Sequence, residues 1–148
     1  MISKPGSAPM TLYDAMQALQ VEAGSYPEGV RIWMRVMAVS FFAGIVFVPW
    51  RREAIWVVLM AIATLALLVA GKILNPDLSR SLLGSAIHLV LWPLVLWLLW
   101  SPGARDRRRA QGGQPFWRNT YLGWLVWVTA LVSISLVLDA WYLLSLAR

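Results

Sequence analysis

Four ionisable side chains stand inside or at the edge of strongly apolar stretches: Arg35, Lys72, His88 and Asp139. Charge in such surroundings is expensive to keep, so each of these residues is a candidate for function. Together they could form a polar site in one leaflet of a membrane. In that site Arg35 or Lys72 would attract an anion, Asp139 would supply the counter-charge and His88 would respond to protons. The same four residues also admit a structural reading, with Arg35 and Asp139 pairing to hold the first long helix against the last. Lys72 would then snorkel to the headgroups, and His88 would hydrogen-bond a neighbouring helix. The structural reading is preferred, because charges near helix ends cost far less than charges at mid-membrane.

His88 is the only histidine and there is no cysteine, which excludes disulfides, thiolate metal sites and a multi-histidine metal site within one chain. Two copies of His88 in an oligomer could ligate haem. Nothing else in the sequence supports that option, and no cofactor or metal is expected. No nucleotide-binding glycine loop, zinc-protease helix signature or serine nucleophile elbow occurs.

Pro93 follows His88 by five residues in the same apolar run. It removes one backbone hydrogen bond and should kink its helix near Leu89, as a hinge or as a static packing feature. Arg105, Arg107, Arg108 and Arg109 form the densest charge run and could meet anionic lipid or an acidic partner. Holding a loop on the inner side of a membrane accounts for them equally well.

The elements that would position these residues follow from composition. In 148 residues the hydrophobic fraction is 59%, the charged fraction 14% and the mean hydropathy +0.64. A soluble core of this size could not hide that much apolar surface. Four apolar runs, at about 32–50, 54–74, 82–100 and 120–140, each approach the ~20 residues that cross a ~30 Å hydrocarbon layer. They lack the alternation of barrel strands. The fold expected is an all-α integral membrane protein, a four-transmembrane-helix bundle in a single membrane domain.

A tail over residues 1–31 precedes the bundle. Within it residues 11–23 predict a short amphipathic helix, opened by a capping box of Thr11 and Asp14 and presenting Leu12, Met16, Leu19 and Ala23 on one face. No cleaved signal peptide is expected, since the first apolar run lies well inside the chain. Residues 101–119 predict a basic cytoplasmic loop.

Small residues four apart, Ser40 and Gly44, Ala66 and Ala70, and Thr129 and Ser133, permit close helix approach. Ser133 and Ser135 are expected to bond their own helix backbone. Of ten Trp, Trp33, Trp50, Trp56, Trp100, Trp117 and Trp141 fall near run boundaries and read as interfacial anchors, while Trp92, Trp97, Trp124 and Trp127 lie deeper.

Arginine distribution sets the expected orientation. The two connections on one side carry Arg51, Arg52, Arg105, Arg107, Arg108, Arg109 and Arg118 against Glu53 and Asp106, seven minus two, or +5. That side should face the cytoplasm, with both termini outside an inner membrane. The net charge of +6 therefore reflects orientation and anionic lipid rather than nucleic acid, for which no recognition motif is present. Abundant packing surface with little buried polar chemistry points to a non-catalytic accessory or structural subunit of a membrane complex. The alternative is a small homo-oligomeric channel or transporter, with Arg35, His88 and Asp139 lining an outward vestibule.

Overall fold

The computed structural model describes residues 10–110 and 115–146. Lys4 and Arg148, which enter the charge count above, lie outside the described residues. The chain is all-helical, with 87% helix and no strand among the described residues. In order, the elements are α1 (Leu12–Gly24), α2 (Glu28–Phe42) with a 3-10 extension (Ala43–Phe47), α3 (Ala54–Leu74), α4 (Arg80–Trp100), α5 (Pro102–Ala110) and α6 (Pro115–Leu146). Four helices are long and apolar enough to cross a membrane: α2 with its extension, α3, α4 and α6.

The first long helix starts at Glu28 rather than at residue 32, and it does not run as α-helix to residue 50. After Phe42 it tightens into the 3-10 turn and then unwinds through Pro49 to Glu53. Two local causes are visible. Pro49 has no N–H to donate to the Ile45 carbonyl four residues back, and Trp124 Nε1 donates to Ser40 O at 2.8 Å, serving a backbone carbonyl just before the α-to-3-10 junction. Gly44 lies directly against that indole, and a Cβ there would stand 2.7 Å from Trp124 Cζ2. The Ser40–Gly44 seam is therefore interior, whereas Ala66, Ala70 and Ser133 are exposed.

The expected loop over residues 101–119 contains a helix. Ser101 Oγ accepts from Ala104 N–H at 3.3 Å, and Pro102 occupies the first helical position, where its missing donor is no loss. Arg107, Arg108 and Arg109 end α5 beside its unsatisfied carbonyls, where positive charge is favourable. α6 begins at Pro115 and runs 32 residues, well beyond the expected 120–140.

α1 opens with the expected capping box. Asp14 N–H donates to Thr11 Oγ1 at 3.2 Å, and Thr11 N–H donates to Asp14 Oδ2 at 3.1 Å. The Thr11 hydroxyl, which donates to Asp14 Oδ2 at 2.6 Å, and after it the Thr11 N–H hold the Asp14 carboxyl below its ordinary pKa. The face it buries matches the expected one only in part: Leu19 is covered, Ala15 joins it, and Leu12 and Met16 are exposed. α1 packs on α3 and on the start of α4.

α4 packs along both α3 and α6, and the core between them is filled by large side chains. Phe41 tilts against Trp92 with ring centroids 4.6 Å apart, and Phe47 meets Trp124 at 5.3 Å. Val57, Val95, Leu125 and Val128 close the remaining space with no exposure at all. Dense interdigitation of this kind leaves few voids as large as a water molecule. Pro93 sits inside α4, and the helix continues through it to Trp100.

Candidate functional site

Polar side chains gather at two levels of the bundle. At the end where α4 starts and α6 finishes, Asp139 is held by three partners. Ser85 Oγ donates to Asp139 Oδ1 at 2.6 Å, His88 Nδ1 lies 2.9 Å from Oδ2, and Ser135 Oγ donates to Oδ2 at 3.3 Å. Ser81 and Tyr142 continue the joint, with their hydroxyl oxygens 3.0 Å apart. Trp92 stands edge-on to the His88 ring at 6.2 Å, covering it toward the core.

This arrangement corrects the expected Arg35–Asp139 pair. Arg35 is exposed and forms no ion pair among the described residues. The sequence sets Arg35 and Asp139 near the same boundary, but α6 turns Asp139 toward Ser85 and His88 of α4. Ser135 likewise serves the carboxylate rather than its own helix backbone. The signal for this joint was in the spacing: Ser85 and His88 share a face at three residues, as do Ser135 and Asp139 at four.

Lys72 does not snorkel outward. Its side chain is 6% exposed, pairs with Glu22 and donates to Leu78 O at 2.9 Å. Glu22 also accepts from the Arg80 backbone N–H at 2.7 Å, and the Arg80 guanidinium donates to Leu19 O. Burial opposes ionisation of Glu22, but Lys72 and the Arg80 N–H outweigh it and leave its pKa lowered. The Lys72–Glu22 pair thus clasps α1 to the α3–α4 turn. Of the four residues singled out by sequence, the structure brings His88 and Asp139 together, gives Lys72 a different partner and leaves Arg35 apart.

The second level is the opposite, basic end. Arg51 and Glu53, in the turn before α3, are buried at 6% and 4% exposure. Arg51 donates to Arg108 O at 3.5 Å and lies over the Tyr121 ring, its guanidinium carbon 5.8 Å from the centroid. Arg108 donates to Leu99 O and covers Trp100 at 5.3 Å. Arg107 Nε stands 3.8 Å from Glu53 Oε1. Between α5, the start of α6 and this turn lies a cavity of about 420 Å³, lined by Arg51, Trp100, Arg105, Arg108, Arg109, Arg118, Tyr121 and Leu122. The arginine distribution had put Arg51 and Arg118 on the same side as this run, but nothing in it showed that they line one cavity together.

Among the described residues no group of three or more His, Cys, Asp or Glu could hold a metal ion. No family model, curated protein or solved structure matches the chain. The site must be read from its own geometry.

Proposed function

We propose that this protein is a non-catalytic accessory subunit of a membrane complex, inserted through its four long helices and associated with partner membrane proteins. The observation that carries this reading is the filled middle of the bundle. Between the Asp139 joint and the arginine end, the helices meet mainly through Phe41, Trp92, Val95, Leu125 and Val128, and the bonds of Trp124 to Ser40 and of Trp100 to Thr129 add only uncharged groups. Ionisable groups at that depth are what mark an ion path or a proton relay. The Asp139 and Lys72 clusters spend their hydrogen bonds inside the chain, as structural clamps do.

The outward faces of α4 and α6 supply the surface for association. Val90, Leu94 and Trp97 form one stripe, and Ile134, Val137, Leu138 and Trp141 another. In a bilayer, packing between helices rather than water exclusion drives association, and such stripes can serve lipid or a partner helix. The arginine end is proposed to face the cytoplasm of an inner membrane, with both termini outside, because short arginine-rich connections stay inside.

Photo-crosslinkers placed at Val137 and at Val90 in intact membranes test this reading. Adducts of defined mass to a different polypeptide are expected from at least one stripe. Adducts to lipid alone, or to further copies of this chain, would overturn it, and the latter would favour a homo-oligomeric channel.

A further inference from the structure

We propose that the arginine-lined cavity at the basic end binds the phosphate group of an anionic ligand. Five guanidinium groups from three separate segments face one space of about 420 Å³, and its described lining holds no carboxylate, the buried Glu53 standing outside it beside Arg107. Like charges brought together this way repel one another unless an anion sits between them. A doubly charged phosphate answers both needs, since its oxygens accept the paired donors that arginine presents.

Two features show a built site rather than a loose charged surface. Tyr121 is 1% exposed and lines the cavity, with Arg51 over its ring and Arg108 beside its hydroxyl. That hydroxyl can donate a hydrogen bond, which a phosphate oxygen in the cavity would accept. The cationic wall is also fixed in advance. Arg108 is held by Leu99 O and the Trp100 face, and Arg51 by Arg108 O and the Tyr121 face. Arg105, Arg109 and Arg118 are exposed at the rim, where they can close on a ligand.

The cavity is larger than a bare phosphate requires, leaving room for the group that bears it. Trp100 and Leu122 give part of the wall an apolar character that suits the glycerol end of a lipid. A phosphatidic-acid headgroup and a free phosphate share the chemistry, and the experiment separates them. The site does not depend on the accessory-subunit reading, because it lies within one chain.

The full-length protein in mild detergent would be titrated with phosphatidic acid or phosphatidylcholine under native mass spectrometry, and with inorganic phosphate by calorimetry. Arg109→Gln, Tyr121→Phe and Arg52→Gln would be compared, since Arg52 is exposed and outside the cavity lining. The expected result is saturation at one phosphatidic acid or one phosphate per chain, whichever saturates identifying the source. Binding should fall roughly tenfold in Arg109→Gln, severalfold in Tyr121→Phe and less than about twofold in Arg52→Gln. Equal losses in Arg109→Gln and Arg52→Gln, or no saturable binding of either ligand, would overturn the proposal.

Discussion

His88 Nδ1 lies 2.9 Å from Asp139 Oδ2, joining the first half of α4 to the last third of α6. Ser85 and Ser135 complete the carboxylate's coordination from the same two helices. The two residues are best understood as halves of one clamp.

A double-mutant cycle should therefore find coupling between His88 and Asp139. His88→Ala and Asp139→Ala are each expected to destabilise the fold, with an interaction term of about 1 kcal/mol, in the range of polar contacts between membrane helices. The same cycle on Arg35 and Asp139 should give a term near zero. Unfolding in detergent with increasing denaturant is the measurement, and coupling to Arg35 rather than to His88 would reverse the assignment.

The Lys72–Glu22 clasp should carry a pH signature. Because the folded pKa of Glu22 is lowered from its ordinary 4.5, its stabilising effect is fully present above that value. It is lost as pH falls through the lower folded value, where both states become protonated. Wild type should melt above Glu22→Gln at neutral pH, by the equivalent of about 1 kcal/mol for a partly exposed ion pair. The gap should close below pH 4.5. A gap that stays constant to pH 3 would show that Glu22 acts through something other than its charge.

Gly44 and Gly71 offer a contrast in what a methyl group meets. At Gly44 it would press on Trp124, whose indole is held by Ser40 O and by the packed rings of Phe47 and Tyr121. At Gly71 it would press on the tip of Leu83, which is only half-buried and can change rotamer. Gly44→Ala should cost about 1–3 kcal/mol, the range for overpacking a fixed site, and Gly71→Ala clearly less. Paired melting curves decide it; equal costs would mean that Trp124 is free to move.

Hydropathy made the four long helices legible, since run length and apolar content set which segments can cross a membrane. The Thr11–Asp14 capping box was legible too, because it depends only on neighbours three residues apart. Direction around a helix axis was not. Arg35 and Asp139 matched in depth, yet the rotation of α6 delivers Asp139 to His88, and only the tertiary packing sets that rotation. Glu22 was not singled out in the sequence, because nothing local reveals that α1 folds back onto Lys72. α5 was missed although Ser101–Pro102 is a helix-start signal, since the arginines after it read as loop. The arginine cavity depends on Arg51 and Arg118, 67 positions apart in sequence (118 minus 51), meeting at one end of the bundle.

The central claim is that the chain acts by association rather than by transport or chemistry. The most direct test is purification from its native membrane in mild detergent, followed by intact-mass analysis of everything that remains bound. A different polypeptide at fixed stoichiometry, retained when Arg35 is changed to alanine, is the predicted result. Recovery of this chain alone, as a monomer or as a defined homo-oligomer, would contradict it.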